Sequence, residues 1–304
     1  MLLADLVLAV FGPTASGKSA VAEELARRIP AELVSADSMQ VYQGLPILTN
    51  QPEAPTKLVS VWPLSHEASV GEYQRLAHEA IDAALAAGRT PVVVGGTGLY
   101  FRAALGDLEL PPEPPPGLRA RFDELYEELG AKRAHDLLTE RDPAAAARVH
   151  ANDRRRVVRA LELAELGATL HPEDSRLWAE ETRRPTLIFG LDVPREELDR
   201  RIEARANAMF EAGVEEEVTR ALSGPISRTA SYALGLDEIA ALPREEAIEA
   251  LAARTRRYAA YQRKWMRRIP GLVSLKADRP TGEIADEILQ VARARQRLPA
   301  RRAG

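Results

Sequence analysis

The chain contains no cysteine, which excludes disulfides and thiolate-held metals. It also lacks any apolar run long enough to cross a bilayer. The first apolar segment carries Asp5 and leads straight into a glycine-containing loop, so it reads as a strand and not a signal peptide. No membrane contact and a cytoplasmic location are expected. A basic excess is missing as well, since the formal net charge of -4 gives no whole-chain signature of a nucleic-acid partner. The five histidines show no ligand spacing, so no metal is expected beyond one held with phosphate. Positive charge is nevertheless clustered. Arg154, Arg155, Arg156 and Arg159 lie close together, and a second basic run extends from Arg254 through Arg256, Arg257, Arg263, Lys264 and Arg267 to Arg268. Such patches can hold a phosphate backbone while acidic helices balance the sum. With 304 residues, 45% of them hydrophobic, the chain can bury one large core or two small ones.

What is present begins with GPTASGKS, comprising Gly12, Pro13, Thr14, Ala15, Ser16, Gly17, Lys18 and Ser19. An apolar run from Leu6 to Val10 precedes it, as a buried strand would. The following stretch, Ala20 to Ile29, places Val21, Leu25 and Ile29 at helical spacing. In this strand–loop–helix setting the loop amides point at phosphate oxygens, Lys18 adds a point charge, and the Ser19 hydroxyl can reach a magnesium ion. The helix N-terminus adds partial positive charge.

A P-loop hydrolase needs a second apolar strand ending in a carboxylate that holds the metal. Here the best second strand, Pro91 to Val94, runs into Gly95, Gly96, Thr97 and Gly98 with no acid. The carboxylate found just after a strand is Asp37, which follows Leu33 to Ser35 and precedes Ser38 and Gln40. Ligands of open α/β sheets bind at that strand edge. From the residues alone, Asp37 is either a turn cap or a chemical group, and Thr97 either a turn residue or a ligand contact. A phosphate loop, one carboxylate and a threonine between glycines suit transfer to a nucleophile better than hydrolysis.

The chain reads as three parts. Residues 1–110 form the first part of an α/β core with a parallel sheet flanked by helices. Pro111, Pro112, Pro114, Pro115 and Pro116 then mark a linker, because proline suits neither a helix interior nor a strand ladder. An all-helical insertion is expected over 111–185. Leu118, Phe122, Leu125 and Leu129 form one stripe ended by Gly130, Asp142-Pro143 starts a helix, and Asn152 and Asp153 cap the next, which Gly167 stops. On that last helix Arg155, Arg156 and Arg159 share one side, while Val157, Val158 and Leu161 point elsewhere. Strand character returns at TLIFGLDV, so 186–304 completes the core with C-terminal helices. Trp178, Trp265 and Tyr258 read as packing residues.

Five segments, GPTASGKS, SADSMQVY (35–42), GGTGLYFRA (95–103), DPAAAARVHANDRRRVVRALE (142–162) and RIEARANAMFEAGVEEEV (201–218), together resemble the tRNA dimethylallyltransferase family in order and spacing. The chain departs from that family's usual pattern at Gln43 to Gln51, at Tyr232 and at Ala259 to Gln262. The resemblance implies a P-loop NTPase-like core with a helical insertion that contacts tRNA. It implies transfer of a dimethylallyl group from dimethylallyl diphosphate to the exocyclic amine of the adenosine beside the anticodon. Asp37 would take the amine proton and Thr97 would orient the amine. The loop, with Mg2+ at Ser19, would hold the leaving diphosphate. Ser38, Met39 and Gln40 match the acceptor-binding segment, and Arg119 with Arg155, Arg156, Val157, Val158 and Arg159 would hold the anticodon stem-loop. A monomer is expected. An adenylate isopentenyltransferase acting on free nucleotide, or a small-molecule kinase that binds ATP, is the alternative reading.

Overall fold

Val7–Phe11 (β1) is a run of wholly buried apolar residues, the pattern of a strand covered on both faces. In the computed structural model, which describes residues 5–297 apart from 113, 116 and 171–175, this strand lies inside a six-stranded parallel sheet. The chain proceeds from β1 to α1 (Lys18–Arg28), β2 (Ala31–Ser35), β3 (Thr56–Lys57), α2 (Val70–Ala86), β4 (Thr90–Gly95) and α3 (Gly98–Leu105). Three helices follow: α4 (Leu118–Arg141), α5 (Pro143–Ala146) and α6 (Arg154–Glu165). The chain then runs through β5 (Thr186–Asp192), α7 (Arg195–Glu211), α8 (Val214–Leu222), α9 (Leu236–Ala241), α10 (Arg244–Met266), β6 (Val273–Lys276) and α11 (Thr281–Arg297). The strand order is β3-β2-β4-β1-β5-β6, which sets β1 between β4 and β5. The loop after β1 therefore emerges beside the ends of both. Among the described residues no helix is long and apolar enough to cross a membrane.

The chain divides into two compact units, Met1–Asp107 with Leu177–Gly304, and Leu108–Arg176. The first is the sheet with its flanking helices. Its core joins Leu8 and Val10 of β1 to Val92, Phe189, Leu191, Val21, Leu25, Ile284 and Ile288. Each such side chain contributes about 1.5–3 kcal/mol on burial. The second unit is all helical, around Phe122, Leu138, Val149, Val157 and Leu161. Gly130 interrupts α4 with a non-helical φ of 74°, where the stripe was expected to end. Asp142 caps α5 by accepting from the Ala145 amide at 2.9 Å, with Pro143 at the first position, and Asp153 caps α6.

The insertion differs in extent from the 111–185 read off the sequence. Leu108 already belongs to the helical unit, and 177–185 goes with the sheet. Side chains of the sheet unit explain the second difference. Arg102 donates to the Leu177 and Ala179 carbonyls, and Arg183 pairs with Asp82 while its amide donates to the Leu105 carbonyl at 2.8 Å. In the proline segment, Pro112 offers its carbonyl to Arg159, and Pro116 lies outside the described residues.

Candidate active site at the strand edge

The loop Gly12 to Ser19 turns between β1 and α1 with two residues in the left-handed region, Ala15 at φ 63° and Gly17 at φ 86°. Glycine takes the latter without strain, and the turn brings Lys18 to the start of α1. The Ser16 hydroxyl is buried with no hydrogen-bond partner. A built anion cradle has this character: amides at a helix start, a lysine, and a polar group left for a ligand.

Gly95 explains how Asp37 comes beside Thr97. A Cβ there would collide with the Ala36 carbonyl, so only glycine lets β2 and β4 approach so closely at their ends. The Ala36 amide donates to the Val94 carbonyl at 2.8 Å, and the Gly12 amide to the Gly95 carbonyl at 3.3 Å. Three consecutive strand ends are thereby tied together. Asp37 accepts the Met39 amide on Oδ1 at 2.9 Å, an Asx-type turn that fixes its carboxylate. Thr97 Oγ1 accepts the Ser38 amide at 3.2 Å and lies 3.4 Å from the Ser38 hydroxyl. Gln40 spends its amide on the loop, accepting from the Ser35 hydroxyl at 2.8 Å and donating to the Asn50 carbonyl at 2.8 Å. Met39 packs against the sheet core. A cleft is lined by Lys18, Ser19, Asp37, Gln40, Thr56 and Gly95 among others. The Ser19 hydroxyl in this cleft is a hard oxygen donor, of the kind magnesium takes beside substrate phosphates.

Three residues of this site escaped the sequence reading, although each lies in a helix with a readable pattern. Arg205 of α7 donates to the Thr14 hydroxyl at 3.0 Å. Burial lowers its pKa from the usual arginine value, and Asp37 opposes the shift. Gln262 of α10 accepts the Thr14 amide at 2.8 Å. Tyr258, read as a packing residue, sets its hydroxyl 3.3 Å from Thr97 Oγ1. Burial raises the Tyr258 phenol well above its ordinary value, and Asp37 adds to that shift, so it stays protonated. Lys18 is pulled down to about 8, chiefly by burial, with Asp37 opposing and Arg205 adding. The signal for Arg205 was its place in one of the five segments that carry the family resemblance. Trp178 and Trp265 do pack, with rings 4.8 Å apart, and Trp265 covers Gly98.

The candidate RNA-contacting residues of the helical unit behave differently from one another. Arg119 and Arg159 both grip Glu162, which is fully buried, with Arg159 Nη1 at 3.0 Å. Arg155 and Arg156 are exposed, and Arg156 lies 3.4 Å from Asp153. The resemblance implies RNA contacts at Val157 and Val158 as well. Both are buried in the unit's core, which removes their side chains from any RNA, because the face opposite the arginines is the one that packs against α4. In the second basic run, Arg254 pairs with Glu238, Arg263 with Asp192, and Arg268 stacks on Trp178.

The family model for IPP transferase matches residues 40–269, and that for isopentenyl transferase matches 5–59. A tRNA dimethylallyltransferase of Streptomyces coelicolor is 44% identical, over 88% of this chain and 89% of its own. One from Thermobifida fusca is 43% identical, over 90% and 91%. The crystal structure of the full-length tRNA isopentenylpyrophosphate transferase from Bacillus halodurans superposes with a TM-score of 0.68 at 30% identity, covering 96% of this chain and 98% of that one. With that family model matching residues 40–269 and relatives above 40% identical along most of its length, the chain belongs to the IPP transferase family.

Proposed function

We infer that the protein transfers a dimethylallyl group from dimethylallyl diphosphate to the exocyclic N6 amine of the adenosine adjacent to the anticodon in tRNA. The reading is supported chiefly by Asp37 lining one cleft with Lys18 and Ser19 while the next residue, Ser38, bonds Thr97. The adenosine amine is a weak nucleophile because its lone pair is delocalised into the ring, so a base must take its proton as the bond forms. Asp37 is that base. Thr97, held by Ser38 and Tyr258, orients the amine through its hydroxyl. The new bond joins N6 to the allylic carbon, the bond from that carbon to the diphosphate oxygen breaks, and the diphosphate leaves with the electron pair. Lys18, Arg205 and the loop amides stabilise the charge that accumulates on it. Ser19 would hold a magnesium ion through its hydroxyl, and that ion would supply further charge neutralisation.

The exposed arginines of α6 hold the anticodon stem-loop through phosphates, which gives affinity and register more than sequence discrimination. The reading carries a cytoplasmic monomer. A free-nucleotide acceptor would leave that arginine face without a use, and a kinase would leave Asp37 and Thr97 without one. Incubating the protein with magnesium, unmodified tRNA and either dimethylallyl diphosphate or ATP decides the matter. The expected result is a mass gain of one dimethylallyl group on adenosine with the prenyl donor. A gain only with ATP, or labelling of free adenosine monophosphate instead of tRNA, overturns the reading.

A further inference from the structure

We propose that Gln262 is a positioning residue that joins the donor loop to the acceptor turn, so that diphosphate and amine are presented in register. Its side chain is buried, 1% exposed, on α10. Oε1 accepts the Thr14 amide at 2.8 Å, and Nε2 donates to the Gly96 carbonyl at 2.9 Å. One planar amide thus clamps the backbone of the phosphate loop to the residue preceding Thr97. Space is tailored to it, since a Cβ on Gly96 would collide with the Gln262 amide nitrogen. One helical turn earlier, Tyr258 sets its hydroxyl 3.3 Å from that of Thr97. The same face of α10 therefore touches the donor side and the acceptor side. Thr14 is held from a second helix by Arg205, and α7 packs on α10.

The two hydrogen bonds run in opposite senses, which makes the chemistry of the amide specific. Glutamine both accepts and donates. Methionine fills the volume and does neither. A glutamate carboxylate accepts from Thr14 but faces the Gly96 carbonyl with no proton, until protonation restores a donor.

This inference rests on the transfer reading for its rate measurements, and on the loop alone for its binding measurement. In single-turnover transfer at saturating donor, Gln262→Met is expected to be roughly 10²-fold slower, the scale of a small misplacement at a reacting centre. Affinity for tRNA should be unchanged. For Gln262→Glu, the rate relative to the parent at the same pH should climb as the pH falls, because protonation returns the missing donor. A parental rate in Gln262→Met, or a pH-independent ratio in Gln262→Glu, overturns the proposal. A role confined to stability would shift the melting temperature and leave that ratio flat. Should the parent itself transfer no prenyl group, the functional reading fails. Calorimetry with magnesium diphosphate then tests the clamp: weaker binding in Gln262→Met sustains it, and equal binding overturns it.

Discussion

At the scale of single residues, the site is governed by charges that oppose one another in a partly dry cleft. Lys18 shows this most directly. Its pKa of about 8 in the free protein lies below its ordinary 10.5, because burial disfavours the ammonium. Between those two values the unfolded chain binds more protons than the folded one, so stability of the ligand-free protein should rise with pH across that window. Diphosphate binding has the opposite sign. An anion placed against Lys18 raises its pKa, so binding takes up a proton once the pH exceeds about 8. Affinity for magnesium diphosphate should be flat below that point and weaken by up to about tenfold per pH unit above it. Calorimetry across the range reads this directly, and Lys18→Arg, which keeps its charge, should flatten the curve. A parental profile with no break near that pH would remove Lys18 from the diphosphate. Asp37 is tested in a different way. Asp37→Asn keeps the Met39 turn bond but cannot take the amine proton, so single-turnover transfer should fall about 10²–10⁴-fold with donor and tRNA binding intact. Near-parental transfer would reduce Asp37 to the turn cap that its Oδ1 contact also makes it.

At the scale of elements, the helical unit depends on caps to a degree its short helices explain. The four-residue α5 cannot sustain itself by propagation, since a nucleated turn is unfavourable until more residues join it. Asp142 supplies what is missing. It accepts the Ala145 amide on one oxygen and the Thr169 hydroxyl on the other at 2.7 Å, linking the start of α5 to the segment after α6. Replacing it with alanine should cost about 1–2 kcal/mol, the upper range for an N-cap, with asparagine recovering most of the loss. Chemical denaturation of the two variants checks this, and an unchanged midpoint in Asp142→Ala would show that the cap contributes nothing. The strand-edge elements work by close approach instead. Without Gly95, β2 and β4 could not bring Asp37 within reach of the turn that carries Thr97.

At the scale of the whole molecule, one chain combines a sheet unit that holds the candidate active site with a helical unit whose arginines divide into two sorts. Arg155 and Arg156 are exposed, whereas Arg119 and Arg159 neutralise the buried Glu162. Replacing Arg155 and Arg156 together with alanine should weaken tRNA binding and reduce the salt slope by about two counterions, without altering donor affinity. An unchanged slope would return that face to ordinary solvated surface. Glu162→Gln should do the reverse. It leaves two guanidiniums facing a neutral amide and should destabilise the protein by about 1–3 kcal/mol, with the salt slope retained. The resemblance placed all four arginines in one functional group, and tertiary pairing separates them.

The elements that were legible in the sequence are those whose cause is local. The phosphate loop, its strand and helix, the break at Gly130, the caps at Asp142 and Asp153 and the position of Asp37 after β2 all follow from residues within a few positions of one another. Backbone conformation and capping act over that range. The segment 177–185 was misread because its attachment to the sheet unit runs through Arg102 and Asp82, far away in the chain. The same limit hid the residues that complete the site. Gln262 meets Thr14 across 248 positions, Arg205 meets it across 191, and Tyr258 meets Thr97 across 161. No periodicity or spacing encodes such pairs, because they exist only once the strand order sets the loop after β1 beside the end of β4 and α7 and α10 pack together. By itself the sequence determined the chemistry available at the strand edge. Which side chains hold that edge in working geometry was decided by the tertiary fold, since hydrogen bonds of this kind form between groups that only packing brings together.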